Sequence, residues 1–215
     1  MEIILPDGSK KTLEEGATVY DVAASIGTSL AKAALAGKIN GELVDVTAQV
    51  TDGATIEIIT NKSPEALSIM RHSCAHIMAE AVQELFPGAQ IAFGPATDNG
   101  YFYDFELPKN ISSDDFAAIE KKMAQIVKRN EPFVREVVSV EEAKEIFADQ
   151  RFKLEHIDDL TEGEISVYRH GSFVDLCAGP HIPSAGKIGA FKMMKLAGAY
   201  WRGDASREQL QRLYG

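Results

Sequence analysis

The sequence predicts an α+β protein in two parts. Residues 1–61 run as hairpin, helix and short strands and contain no histidine or cysteine. From residue 62 onward the pattern changes to one long, striped helix followed by strands alternating with helices. The histidines and cysteines all fall in this second part. With 215 residues, the chain is long enough for two small domains.

Composition narrows the function. Hydrophobic content of 45% and charged content of 25% are ordinary for a soluble globular protein. No apolar run reaches membrane-spanning length and no secretory pattern follows Met1, so the expected location is cytoplasmic, with no membrane partner. Cys74 and Cys177 alone do not make a disulfide framework. A net charge of −10 argues against a general nucleic-acid coat, although the stretch from Lys187 onward is locally basic.

In the first part, Glu2–Leu5 and Lys10–Leu13 read as strands around the Pro6-Asp-Gly-Ser9 turn. Val19 to Ile26 has helical spacing and Gly27 caps it. Leu30–Leu35 reads as a short Ala-rich turn, followed by strands at Lys38–Ile39, Glu42–Val46 and Thr55–Ile59. That order predicts a small β-grasp, ubiquitin-like unit. It offers no catalytic set, and a recruitment or RNA-contacting role is expected of it.

The second part opens with Ser63 as N-cap and Pro64 at the first helical position, in a helix that ends at Pro87-Gly88. Leu67, Met70, Cys74, Ile77, Met78, Ala81 and Leu85 form its core stripe, leaving His72 and His76 together on the opposite side. Strands follow at Gln90–Phe93 and Tyr101–Phe105, the latter placing Tyr101, Tyr103 and Phe105 on one face. Ser112 caps a helix that buries Phe116, Ile119, Met123, Ile126 and Val127. Pro132–Val138 is a strand, and Ser139-Val-Glu-Glu142 is a capping box. Phe152–Leu154 reads as a strand and the acidic Glu155–Glu164 as a solvated loop. Ile165–Arg169 and Ser172–Cys177 make a hairpin in which Asp175 and Cys177 share a face, and Gly179-Pro180 forces a turn before His181.

His72, His76, Cys177 and His181, with Asp175 beside them, thus come from one helix face and one strand end. Three imidazoles and a thiolate suit tetrahedral zinc, with a three-ligand version leaving room for water. The same groups also suit a metal-free polar pocket in which an imidazole activates water, or a buried polar cluster with Cys177 as a small hydrophobe.

The stretches PDGSKK, RHSCAHIMAEA (71–81), FGPATDNGYFYDFE (93–106), FVDLCAGPHIPS (173–184) and KLAGAYWRGD (195–204) together resemble the N-terminal region of bacterial threonyl-tRNA synthetases. The resemblance covers the whole chain. It implies a TGS domain of β-grasp type over 1–61. Over 62–215 it implies an α+β editing domain of the threonyl/alanyl type, ending in the start of a linker to an aminoacylation core. It further implies hydrolysis of seryl-tRNA(Thr), with His72, His76, Lys153, Cys177 and His181 catalytic and Tyr103 and Asp175 binding substrate. No cofactor is implied for editing. The alternative is zinc on His72, His76, Cys177 and His181, as in the alanyl relatives. ATP, magnesium and a further zinc would belong to parts of the parent enzyme outside this chain, as would the contacts of a homodimer. The expected partner is the tRNA(Thr) acceptor end carrying serine. Ala178 departs from the family pattern, in which many relatives carry Arg. Ala79 and Ala178 are candidates for the walls that exclude threonine's methyl, and Cys177 is an alternative, covalent nucleophile. A tRNA-binding module without hydrolysis and a zinc-dependent alanyl-type editor are the competing functions.

Overall fold

Strands β1 (Glu2–Ile4) and β2 (Lys10–Thr12) pair antiparallel across the Pro6–Ser9 turn, which Asp7 holds by accepting from the Ser9 amide and hydroxyl at 2.9 and 2.6 Å. This computed structural model describes residues 1–160 and 165–215. Helix α1 (Val19–Ile26) starts at a Thr18–Asp21 capping box and ends at Gly27, as its sequence predicts. Helix α2 (Thr28–Ala33) then runs straight into β3 (Ala34–Ile39), which lies between β4 (Glu42–Val44) and β5 (Ile56–Thr60). An isolated parallel bridge, Ile4 to Thr55, ties β1 to the residue just before β5. Ile3, Val19, Val22, Val50, Ala54 and Ile56 close the core of this β-grasp unit. Strand β3 begins four residues earlier than expected. Ala34 to Gly37 are buried on both faces, so the alternation that marks a half-exposed strand is missing.

Helix α3 (Ala66–Leu85) is the axis of the second unit, and it starts later than its sequence suggests. The Ser63 hydroxyl accepts from the Thr60 amide at 3.1 Å, behind the helix, so it does not cap it. Nor does α3 have an open face along its middle: Ser73 through Val82 are all buried, while Leu67, expected in the stripe, is 54% exposed. The reason is that the helix is enclosed on more than one side. Tyr101, Tyr103, Phe105 and Leu213 of a sheet and Ile119, Met123 and Ile126 of a second helix share one core with Cys74, Ile77, Met78 and Ala81.

That sheet is antiparallel. Its members are β6 (Gln90–Ile91), the short β7 (Ala96–Thr97) and β8 (Gly100–Glu106), and two later strands complete it. Helix α4 (Phe116–Arg129) follows a Ser112–Asp115 capping box and stops at Asn130, whose φ is 53°. Next come β9 (Val134–Val138), α5 (Val140–Ile146) behind the Ser139–Glu142 capping box, and α6 (Arg151–Asp159). Strands β10 (Ile165–His170) and β11 (Phe173–Leu176) join β9 in a separate sheet ordered β11-β10-β9.

The second unit departs from expectation in three further places. The predicted strand at 152–154 is the first turn of α6, which continues to Asp159 through most of the stretch expected to be loop. Residues 161–164 of that stretch lie outside the described residues. The acids of α6 are partnered: Glu155 meets Arg207 at 2.8 Å, Asp158 meets Lys144 at 2.6 Å, and Asp159 pairs with Arg202. The basic tail, correspondingly, faces the protein's own acids, with Lys192 on Glu120 at 2.9 Å and Arg212 on Asp104 at 2.7 Å. Finally, β12 (Lys195–Tyr200) and β13 (Gln209–Tyr214) belong to the sheet, whose order is β12-β13-β8-β6; β13, in the stretch read as a linker, pairs on both sides. Among the described residues no helix is long and apolar enough to cross a membrane.

Candidate active site

A cavity of about 340 Å³ opens where α3, β8, α6 and the end of β11 meet. It is lined by His72, His76, Tyr103, Lys153, Asp175 and Cys177, so six of the seven residues singled out in the sequence reach it. The seventh, His181, stands behind Cys177. Its Nε2 is 3.4 Å from Cys177 Sγ, its Nδ1 is 3.0 Å from Ser73 Oγ, and its ring stacks on Phe133 at 4.9 Å.

Asp175 is the electrostatic centre. Its side chain is 3% exposed and meets the Lys153 ammonium at 2.5 Å through Oδ1. Its Oδ2 accepts from the Tyr103 hydroxyl at 2.5 Å and lies 3.4 Å from His76 Nε2. Lys153 also donates to the Ala92 carbonyl at 2.7 Å and to the Tyr103 oxygen at 3.1 Å, whereas its contact with Asp175 Oδ1 is an ion pair without hydrogen-bond geometry. The ammonium thus supplies positive charge beside Asp175 and donates to Tyr103, with two of its three protons engaged by hydrogen bonds to the protein. Tyr103 is wholly buried, and burial followed by the Asp175 charge raises its pKa well above the ordinary value. It is a hydrogen-bond donor and not a base.

The three imidazoles are neutral. Burial lowers His72, partly opposed by the Asp175 carboxylate, and lowers His76 and His181 well below the ordinary value, helped by the crowding of the imidazoles on one another and, for His76, by Lys153. His72 is the one that remains partly exposed, with the Pro180 carbonyl accepting from its ring and its Nε2 at 3.3 Å from Cys177 Sγ. Burial and the Asp175 charge push the Cys177 thiol up to about 12, the opposite of an activated nucleophile.

Several wall residues carry no chemical signature in the sequence. Phe93, Gly94 and Pro95 form one side, and Ala178 and Gly179 contribute backbone opposite. Gly94 lies so close to the Tyr103 ring that a Cβ there would overlap it. The alternation of Tyr101, Tyr103 and Phe105 marked this face but could not indicate that a loop glycine would press on it. Ala178 lines the cavity as suggested, whereas Ala79 is fully buried in the core of α3 and does not.

One donor atom each from His72, His76, Cys177 and His181 lies within 4.8 Å of the others. A tetrahedral zinc sets nitrogen and sulfur donors roughly 3.3–3.8 Å apart; the set fits a metal in number, and Cys177 Sγ already stands at that spacing from His72 and His181, at 3.3 and 3.4 Å. His76 Nδ1 is buried without a hydrogen-bond partner while its Nε2 faces Asp175, an arrangement that also suits a metal-bound imidazole; against the fit, the Lys153 ammonium brings positive charge into the same cavity.

Comparison with known proteins places the chain in a family. Residues 1–60 match the TGS domain, and residues 165–214 match the threonyl and alanyl tRNA synthetase second additional domain. The whole chain is 49% identical to a threonine–tRNA ligase of Pelobacter propionicus. It is 51% identical to one of Burkholderia multivorans, and over 99% of its length it is 50% identical to one of Marinobacter nauticus. In each case it spans 34% of the relative's length, about a third. Full coverage at this identity shows that the chain belongs to the threonine–tRNA ligase family.

Proposed function

We propose that this chain carries the post-transfer editing activity of a threonine–tRNA ligase, hydrolysing the ester of seryl-tRNA(Thr) to serine and free tRNA, with residues 1–61 as the TGS domain and 62–215 as the editing domain. The observation that carries the reading is the cavity itself: a neutral, partly exposed imidazole beside a buried Lys153–Asp175–Tyr103 network. A synthetic site selective for threonine gains only about 1–3 kcal/mol over serine from the extra methyl, roughly 10- to 200-fold, so a second hydrolytic sieve has clear use.

The tRNA acceptor end enters with its terminal adenosine ester against the 93–95 wall. His72 accepts a proton from water as the water oxygen attacks the ester carbonyl. The carbonyl–ribose bond then breaks and the proton passes to the departing ribose oxygen. Lys153 offsets the negative charge that develops on the carbonyl oxygen through its field while holding Asp175. Asp175 and Tyr103 bind the serine ammonium and hydroxyl, and His76 and His181 support Asp175 and Cys177 from behind. Cys177 shapes the wall as a neutral thiol. The reaction runs without metal. The zinc reading rests on the spacing of His72, His76, Cys177 and His181, which would hold the ion; zinc would supply a polarised water there.

Deacylation of seryl-tRNA(Thr) beside threonyl-tRNA(Thr), with and without a chelator, tests these readings. Selective loss of serine that survives the chelator supports metal-free editing. Loss of activity with the chelator moves the assignment to zinc, and no hydrolysis in either condition sinks the editing reading for this chain.

A further inference from the structure

The turn that carries Cys177 to His181 forms one wall of the cavity, and its outer side is held by the first domain. Asp45, just past β4, is the residue that reaches it. Its Oδ1 accepts from the His181 backbone amide at 2.9 Å. Its Oδ2 accepts from the Tyr168 hydroxyl at 2.6 Å. Tyr168 in turn fixes the middle of the same turn: it lies directly opposite Asp175 in the β10–β11 register, and its hydroxyl sits where a Cβ on Gly179 would be. The Gly179 amide then donates to Cys177 Sγ at 3.3 Å. On the inner side, Ser73 Oγ accepts from the Ile182 amide at 3.1 Å and meets the His181 ring, so α3 grips the far end. The turn is thus clamped between α3 of the second domain and a single carboxylate of the first. A second cavity, of about 430 Å³ and lined by Leu43 together with His72, Pro95 and Gly179, places the domain junction alongside the site.

We propose that Asp45 is a positioning residue for the hydrolytic site, through which the TGS domain sets the place of the Cys177–His181 turn and hence the width of the pocket. This rests on the editing reading above. Asp45 touches no substrate. It acts by aligning one backbone amide and one hydroxyl, and neither bond requires its charge. A wall displaced by a fraction of an ångström misplaces the ester and leaves room for an extra methyl; displacement of about 1 Å is enough for losses of order 10²-fold.

The test uses the whole chain carrying Asp45→Ala, Asp45→Asn or Tyr168→Phe. Asp45→Ala is expected to lower kcat for seryl-tRNA(Thr) about 10- to 100-fold with KM within about threefold, and to narrow the serine-over-threonine ratio. Asp45→Asn, which still offers an oxygen to the His181 amide, restores most of the rate. Tyr168→Phe gives a partial loss in the same direction. Hydrogen exchange at the His181 amide gives a readout independent of activity, with faster exchange in Asp45→Ala than in the parent chain. Unchanged kcat in Asp45→Ala, a loss that Asp45→Asn fails to restore, or unaltered His181 exchange would each overturn the inference. If the unsubstituted chain does not hydrolyse seryl-tRNA(Thr), the editing reading fails separately, and His181 exchange still decides whether Asp45 holds the turn.

Discussion

At the residue scale, the neutral imidazoles and thiols make stability depend on pH from both sides. His72, His76 and His181 are held below the ordinary histidine value, so below about pH 6.5 the unfolded chain takes up protons that the native state refuses, and stability falls. Cys74 and Cys177 are pushed up to about 11 and about 12, so above about pH 8.5 the unfolded chain loses protons that the native state keeps, and stability falls again. Melting temperature against pH should therefore show a plateau between about 6.5 and 8.5. An alkaline limb unaffected by Cys74→Ala together with Cys177→Ala would contradict the second half. The high thiol value also predicts that Cys177→Ala keeps hydrolysis within about tenfold of the parent, whereas a covalent thioester route requires complete loss. Lys153→Ala leaves Asp175 buried without its ammonium, and loss of one partner of such a pair costs about 3–5 kcal/mol. Chemical denaturation should show that loss, and a change under about 1 kcal/mol would mean that water already screens the pair.

Among the elements, those with one buried face could be read directly. Helix α1, the α4 stripe and the Ser112 and Ser139 caps follow from period and capping chemistry because those segments meet the core on one side only. The elements that misled are the ones covered on several sides or satisfied by distant partners. The middle of α3 is buried all round, so His76, expected opposite the core stripe, is itself only 3% exposed. Helix α6 reads as acidic loop because the cations that pair with Glu155 and Asp159 lie about fifty residues away in sequence. The Lys153–Asp175–Tyr103 contact, likewise, joins three elements that no local pattern connects. Strand β13 matters to the site because Leu213 pairs with Tyr103 and is fully buried. Leu213→Ala should cost about 2–5 kcal/mol in denaturant titration. Gly94→Ala, in the loop pressed on Tyr103, should lower kcat/KM at least about tenfold and also lower the melting temperature, since the added Cβ overlaps the buried Tyr103 ring and such overpacking costs about 1–3 kcal/mol. A variant that deacylates at the parent rate would show that this wall moves freely.

For the whole molecule, the balance of charge sets how tRNA is met. The chain carries a net charge of −10, and the cations of its basic tail are largely engaged with its own carboxylates. Binding of tRNA by this chain should therefore depend weakly on salt, with a log–log slope below about 3 in magnitude, where a dedicated binder making 6–10 phosphate contacts shows far more. Filter binding from 50 to 200 mM salt measures the slope, and a steep one would reveal a basic face that these ion pairs do not account for. The sheet order has a consequence in time. The ribosome releases the strand bearing Tyr103 more than a hundred residues before β13, which must lie beside it. The β-grasp unit is complete by Thr60 and can fold while the rest is still being made. The second domain has to wait, with the edge of β8 that takes β13 unpaired, until that strand emerges. Early in synthesis the nascent chain is thus a finished small domain trailing an unfinished one, and that interval is when a chaperone would be most needed.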